Sequence, residues 1–128
     1  MLDHMGITVS DYAHSRAFYE RVLGVLDYGI VMDVTKEQTG GYEGCGFGPD
    51  GKPAFWIGTG QTASTGLHVA FVAPSRAAVD EFHAIALQHG ARDNGAPGLR
   101  PHYHPNYYGA FVIDFDGNNI EAVCHRPE

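Results

Sequence analysis

One carboxylate stands in an unusual sequence context. Glu121 lies among Ile120, Ala122 and Val123, in a stretch predicted to be the return strand of a hairpin. An ionised carboxylate is costly to bury among apolar side chains unless it is paired with a cation or binds a metal. The first question that the sequence raises is therefore which groups could pair with Glu121.

Two histidines are suited to this role by their positions. His4 and His68 each stand near the start of a predicted strand, on the face opposite the large apolar residues. Two imidazoles and one carboxylate on rigid strands can hold a divalent cation and leave coordination positions open for water or substrate. Either histidine could instead be a hydrogen-bonded, partly buried residue, and Glu121 could lie at a solvated edge. The equivalent placement of the two histidines favours the metal site.

The elements that must position these residues repeat once along the chain. Alternation, turn residues and helical spacing predict strands at 3–10, 25–34, 42–48, 53–58, 67–73, 107–115 and 119–125, helices at 15–24 and 74–88, and a short strand within 93–105. The repeat aligns His4 with His68, and the turn at Asp50-Gly51 with the turn at Asp116-Gly117. It predicts an α+β fold in which residues 1–128 form a single domain of two tandem βαβββ modules, residues 1–60 and 66–128. These modules are expected to form a curved, partly open β-barrel-like sheet with the helices outside.

Composition narrows the classes of function. The chain has 128 residues and a formal net charge of −7, without the basic run that nucleic-acid binding requires. No apolar run is long enough to cross a bilayer, and two cysteines are too few for a disulfide scaffold. We therefore expect a cytoplasmic protein that binds a small molecule and neither nucleic acid nor membrane.

The segment LRPHYHPNYYG, before the closing hairpin, is the second candidate functional region. Arginine can hold a substrate carboxylate in a bidentate fork, and histidine or tyrosine can serve as an acid or a base. We assign substrate binding to Arg100 and Tyr103, and catalytic roles to His102, His104, Tyr107 and Tyr108. The alternative is that the aromatic residues only pack this loop against the sheet while the histidines face solvent.

The motifs DHMGITVSD, SRAFYERVLG, GLHVAF and DFDGNNIEAV together resemble the vicinal oxygen chelate superfamily. This superfamily includes glyoxalase I, extradiol dioxygenases, fosfomycin-resistance enzymes and bleomycin-binding proteins. By this resemblance His4, His68 and Glu121 fall on the metal-ligand positions, where the cation would be Zn, Ni, Mn or Fe(II). The resemblance also implies a homodimer, and it leaves open whether the ligands of one site come from one chain or two. Phe115 stands where the family usually has proline.

The turn alignment places Phe55 opposite Glu121. Glyoxalase I-like enzymes carry a second glutamate at the corresponding position, where it serves as a fourth ligand and takes part in proton transfer. Phe55 can do neither, so the alignment argues against lactoylglutathione lyase activity and makes Phe55 a substrate-binding residue. Because neighbouring strand residues point to opposite faces, Trp56 is then expected to point away from the cavity.

Two kinds of function remain. The first is a metal-dependent enzyme of the dioxygenase, lyase or isomerase type, which chelates its substrate through vicinal oxygens. The second is a non-enzymatic antibiotic-binding protein of the bleomycin-resistance type, which would use the aromatic side chains to hold its ligand.

Overall fold

Two units of the same design make up the chain. The computed structural model describes residues 1–128 and divides into Met1–Ser64 and Thr65–Glu128. Each unit contains a four-stranded mixed sheet with one long helix on one face. The predicted α+β class and its two tandem βαβββ modules are thereby confirmed.

The first unit contains β1 (Met5–Thr8), α1 (Tyr12–Gly24), β2 (Gly29–Val34), α2 (Lys36–Thr39), β3 (Gly44–Gly48) and β4 (Phe55–Gly58). Its strand order is β1-β4-β3-β2, with β1 parallel to β4 and the other pairs antiparallel. Asp11 caps α1, since its side chain accepts a hydrogen bond from the backbone N–H of His14. The helix begins at Tyr12 rather than at residue 15, and the short helix α2 lies between the strands predicted at 25–34 and 42–48.

The second unit contains β5 (His68–Val72), α3 (Arg76–Gln88), β6 (Arg92–Leu99), β7 (Tyr108–Ile113) and β8 (Asn119–Cys124). Its strand order is β5-β8-β7-β6, again with one parallel pair, β5 and β8. Ser75 caps α3 by accepting a hydrogen bond from the N–H of Ala78. The apolar side of α3 covers the sheet and buries Phe82 completely.

Strand β6 is longer than the short strand expected within 93–105. It pairs with β7 along its whole length, with irregularities on both sides of Gly95. Glycine and proline hide this strand from a propensity argument, because both are depleted in regular strands and mark bulges. The loop that bears the candidate His and Tyr residues therefore begins only after Leu99.

A tight turn fixes the position of the strand that carries Glu121. The buried carboxylate of Asp114 accepts hydrogen bonds from the backbone N–H groups of Asp116 and Asn118, while Gly117 adopts a left-handed φ of 87°. The side-chain oxygen of Asn118 in turn accepts from the N–H of Leu67, just before β5. The turn thus ties the start of β5 to the start of β8, the strands that bear the two candidate ligands of this unit.

None of the three helices has the length and apolarity needed to cross a membrane.

Candidate functional site

Glu121 occupies the centre of the second sheet. Its cross-strand neighbours are Ala70 on β5 and Phe111 on β7. Its side chain projects from the face opposite α3, since its strand neighbours Ile120 and Ala122 lie in the core. Glu121 is nevertheless 0% exposed. It is a buried carboxylate on the sheet face that the helix leaves uncovered.

Both carboxylate oxygens of Glu121 have a polar partner. The Nε2 atom of His68 lies 2.8 Å from Oε1, and the hydroxyl of Tyr107 donates a hydrogen bond to Oε2. The His68 side chain is 55% exposed, so the pair joins the buried carboxylate to the surface. A buried charge without such partners would cost several kcal/mol, on the order of 3–5. The structure therefore places His68 beside Glu121, and their predicted role as ligands of one metal stays a prediction.

The geometry of this pair fits two ligands of one divalent ion. Donor atoms bound side by side at about 2.1 Å from a metal lie roughly 3 Å apart, close to the observed separation. Imidazole nitrogen and carboxylate oxygen are donors for Zn, Mn, Ni and Fe(II). The hydrogen bond from Tyr107 is the kind of outer contact that orients a ligating carboxylate.

Tyr107 is held in place as a donor. Burial, and then the hydrogen bond to Glu121, raise the pKa of its hydroxyl above the usual range, so the proton stays on tyrosine at neutral pH. Its ring contacts Tyr103 and His125. A Cβ at Gly109 would lie 3.2 Å from the Tyr107 ring and 3.3 Å from Glu121 Oε2, so glycine there leaves room for this pair.

His4 belongs to the first unit and has its own polar partners. Its Nδ1 lies 2.8 Å from Oδ1 of Asp3, whose other oxygen accepts a hydrogen bond from Lys52 at 2.7 Å. Lys52, and then His4, lower the pKa of the Asp3 carboxyl to about 2. A carboxylate on Nδ1 leaves the lone pair on Nε2, the form in which histidine binds a metal.

No three His, Cys, Asp or Glu side chains are arranged together as a complete metal site. The second unit brings together two of the three predicted ligands, His68 and Glu121, and His4 lies in the other unit. The imidazole of His68 and the carboxylate of Glu121 are suitable donors for a divalent ion. A site completed by His4 stays a prediction.

Arg100 lies beside the row of residues that contains Glu121. Its guanidinium donates to the backbone carbonyls of Gly98 and Ala96 and stacks over Phe111, 5.4 Å from the ring centroid. Phe111 is the cross-strand partner of Glu121. The structure thus places the half-buried, positively charged side chain of Arg100 next to the candidate ligands.

The other residues of the loop are more exposed. The rings of His102 and Tyr103 contact each other at 4.2 Å, and the ring of His104 meets that of His125 at 5.6 Å. His104 also accepts a hydrogen bond from the backbone N–H of Asn106. These side chains form an aromatic cluster around Tyr107 that remains accessible to solvent.

Tyr108 does not lie with the other candidates. Its hydroxyl donates to Asp80 of α3 at 2.6 Å, and Arg76 stacks on its ring. It therefore belongs to the helix-covered side of β7, which agrees with strand alternation after Tyr107. The catalytic role predicted for Tyr108 is wrong, because its side chain packs on the other face of the sheet.

Phe55 is also placed differently from the prediction. It is 3% exposed and packs against Tyr19 of α1 and Phe47 of β3. It lies in the core of the first unit and cannot bind a substrate. Its neighbour Trp56 points to the opposite face and, with His4, lines an open cleft.

Strand pairing identifies the true counterpart of Glu121. In the first sheet Trp56 pairs with Gly6, two residues after His4, and in the second sheet Glu121 pairs with Ala70, two residues after His68. The position equivalent to Glu121 is therefore Trp56. The turn-based alignment was displaced by one residue, although its conclusion that no second glutamate stands there is unchanged.

Comparisons with known proteins agree with this architecture. Residues 1–122 match the model of the Glyoxalase/Bleomycin resistance protein/Dioxygenase superfamily. A glyoxalase/bleomycin resistance protein from Albidiferax ferrireducens T118 has 29% identity over 99% of both chains, with a TM-score of 0.78. No curated protein sequence matches significantly.

Two more distant structures share the fold. The fosfomycin resistance protein FosX from Listeria monocytogenes, complexed with Mn(II) and 1S,2S-dihydroxypropylphosphonic acid, has 19% identity over 97% of this chain and 91% of its own, with a TM-score of 0.66. Glyoxalase I from Zea mays has 17% identity and a TM-score of 0.70, and the match covers 96% of this chain and 45% of the maize chain.

Proposed function

Because the chain belongs to the Glyoxalase/Bleomycin resistance protein/Dioxygenase superfamily, we propose that it is a metal-dependent enzyme. It binds a small substrate through adjacent oxygens at a divalent cation. The observation that carries this proposal is the fully buried Glu121 carboxylate, paired at 2.8 Å with the exposed His68. A buried carboxylate in the middle of a sheet destabilises the fold unless it is paired. Such residues are often found at functional sites.

His68, Glu121 and His4 would hold the cation, and His4 would come from the same chain or from a second copy. When bound, a Zn, Ni, Mn or Fe(II) ion acts as a Lewis acid that stabilises negative charge on a substrate oxygen. Tyr107 fixes the orientation of the Glu121 carboxylate through its hydrogen bond to Oε2. Asp3 fixes the ring of His4 in the same way through Nδ1.

The loop supplies the groups that act on the substrate itself. The Arg100 guanidinium uses two of its N–H groups on backbone carbonyls, and a guanidinium has five. The remaining donors are suited to an anionic group of the substrate. Tyr103, His102 and His104 are exposed in the same loop, and an imidazole or a phenol that contacts the substrate can serve as a general acid or base.

We propose that the reaction differs from the lactoylglutathione lyase reaction. That reaction moves a proton across an enediolate with the help of a carboxylate at the position equivalent to Glu121 in the first module. Here this position holds Trp56, whose indole neither binds a metal nor exchanges a proton. We therefore propose a three-ligand enzyme, closer in donor set to the dioxygenase and fosfomycin-resistance branches.

Metal analysis of protein purified without added metal tests this proposal. We expect close to one equivalent of a divalent metal, and its loss in His68→Ala, Glu121→Ala and His4→Ala. His14→Ala is a matched control, because His14 is an exposed histidine on α1. Substoichiometric metal that these variants leave unaltered would refute the metal site.

A non-enzymatic ligand-binding protein of the bleomycin-resistance type is the second candidate function. The aromatic cluster of Tyr103, Tyr107, His102 and His104 favours it, since such side chains hold planar or cationic ligands. Ligand-induced stabilisation that persists in excess chelator would support this function over the enzyme. Thermal unfolding with bleomycin, with and without chelator, makes the distinction.

We also propose that the protein forms a homodimer in the cytoplasm. Both cysteines, Cys45 and Cys124, are free and buried, which agrees with a reducing compartment. Light scattering after size exclusion tests the dimer directly, and a monomer at micromolar concentration would refute it.

A further inference from the structure

Strand β6 turns over within two residues, at a bulge in the second sheet. Asp93 pairs with Val112 on β7, and Gly95 pairs with Phe111, only one residue away from Val112. Cross-strand partners lie on the same face of a sheet. Val112 is fully buried in the core, whereas Phe111 is the partner of Glu121 on the face that the helix leaves uncovered. The bulge therefore puts Asp93 on the helix side and Gly95 on the side of the candidate ligands.

The carboxylate of Asp93 holds this bulge from the helix side. Its Oδ1 atom accepts a hydrogen bond from the backbone N–H of Gly95 at 3.0 Å. The same oxygen lies 2.9 Å from Nε2 of His83 on α3, a side chain that is only 12% exposed. The contact with His83, and then the N–H of Gly95, lower the pKa of the Asp93 carboxyl, so both partners face a charged group at neutral pH.

The guanidinium of Arg100 lies on the other side of the bulge. It donates to the carbonyl of Ala96 at 2.8 Å and to that of Gly98 at 2.7 Å. A Cβ at Gly95 would lie 3.2 Å from Nη2 of Arg100 and 2.9 Å from the ring of Phe111. Gly95 also has a φ of 154°, a conformation that favours glycine. The missing side chain at Gly95 thus leaves the space that the guanidinium occupies.

We propose that Asp93, anchored by His83, is a positioning residue that orients Arg100 for an anionic group of the substrate. Asp93 fixes the bulge through the N–H of Gly95, and the bulge fixes the two carbonyls that hold the guanidinium. The remaining N–H groups of Arg100 are then held in one orientation before an anion arrives, which lowers the entropic cost of binding it. This inference rests on the proposed function, in which Arg100 binds that anion. All of these residues belong to the second unit.

Nuclear magnetic resonance of the Arg100 side chain tests the positioning directly. A guanidinium held by two carbonyls rotates slowly and gives separate Nη signals, whereas a mobile guanidinium gives an averaged signal. Arg100→Lys identifies the signals by their disappearance. We expect separate signals in the unmodified protein and averaged signals in Asp93→Ala. Asp93→Asn keeps an oxygen that can accept from the N–H of Gly95, so it should retain the separate signals.

Titration with inorganic phosphate measures the consequence for binding. Phosphate should shift the Arg100 signals of the unmodified protein. Its affinity should fall roughly twofold to tenfold in Asp93→Ala, the range that ordering one long side chain on binding costs. Asp80→Ala is the matched control, because it removes an aspartate of α3 that bonds to the hydroxyl of Tyr108. It should change neither the Arg100 signals nor the phosphate affinity.

The outcomes separate this inference from the proposed function. Averaged Arg100 signals in the unmodified protein, or signals and phosphate affinity unchanged in Asp93→Ala, overturn the role of Asp93 and leave the metal site standing. Ordered Arg100 signals that do not respond to phosphate overturn the anion-binding role of Arg100, and the purpose of Asp93 with it.

A second variant decides if Asp93→Ala does not fold. His83→Phe fills the same space and leaves Asp93 without its anchor on α3. It should broaden the Arg100 signals and weaken phosphate binding in the same direction. Signals and affinity equal to those of the unmodified protein would overturn the inference.

Discussion

Replacing Tyr107 with phenylalanine tests how the site holds its carboxylate. The substitution removes a single oxygen, which donates a hydrogen bond to Oε2 of the fully buried Glu121. The ring and its contacts with Tyr103 and His125 are preserved. The variant therefore isolates the effect of one hydrogen bond on a proposed metal ligand.

The size of the effect follows from the nature of this bond. A hydrogen bond to a charged group contributes roughly 1.5–3 kcal/mol, and 1.4 kcal/mol corresponds to a tenfold change in affinity. Without the donor, the Glu121 carboxylate is no longer held with Oε1 toward His68. We expect metal affinity to fall by about 10- to 100-fold, as for other groups that orient metal ligands.

Competition with a metal-binding indicator measures this affinity. Tyr108→Phe is the control, because the neighbouring hydroxyl bonds to Asp80 on the other face of the sheet and should leave metal affinity unchanged. An affinity of Tyr107→Phe within twofold of the unmodified protein would refute the orienting role. If Tyr107→Phe and Tyr108→Phe lost the same amount of metal affinity, the cause would be a general loss of stability instead.

The remaining predictions concern stability. Phe55→Ala should lower the unfolding free energy by about 3–5 kcal/mol in urea melts, because Phe55 is a core residue, and should leave metal affinity of the folded protein unchanged. Tyr108→Phe should cost about 0.5–1.5 kcal/mol in the same assay, because the lost hydrogen bond to Asp80 is exposed to solvent. The pKa of Tyr107 is raised in the folded protein, so its stabilising contribution is complete below the pKa of an unfolded tyrosine, about 10, and is lost as the pH rises above it. Stability measured between about pH 9 and 11 should therefore decline less steeply in Tyr107→Phe. A loss of unfolding free energy below about 1 kcal/mol in Phe55→Ala would contradict a core role for Phe55. A decline in stability between about pH 9 and 11 that is equally steep in Tyr107→Phe and in the unmodified protein would contradict the alkaline prediction.

The sequence predicted most of the fold because its signals were local. Alternation placed the apolar side chains of β1 and β5 correctly. Strand β6 escaped full prediction because its irregular pairing with β7 depends on a neighbouring strand, which propensity does not describe.

The site was harder to predict than the fold because it depends on register. Four residues separate Gly51 from Trp56, whereas three separate Gly117 from Glu121. An alignment anchored on the turns therefore selected Phe55, and a slip of one residue reverses the face of every side chain in a strand. The extra residue after the first turn, next to Pro53, was the signal that could have revealed Trp56.

Tyr107 and Tyr108 show the same dependence. Both stood in the same polar, aromatic segment, and composition alone gave them the same role. Strand β7 begins at Tyr108, and its pairing sends that hydroxyl to Asp80 while Tyr107 reaches Glu121. The residue at which β7 begins therefore decides which tyrosine contacts Glu121 and which one packs on the helix side of the sheet.

The central claim is that Glu121 and His68, together with His4, hold a divalent cation. Anomalous diffraction from crystals grown with Mn(II) or Zn(II) tests it most directly. We predict a peak about 2.1 Å from Oε1 of Glu121 and from Nε2 of His68, with Nε2 of a His4 as the third protein ligand. A peak bound only by His102 and His104, or no peak beside Glu121, would contradict the claim.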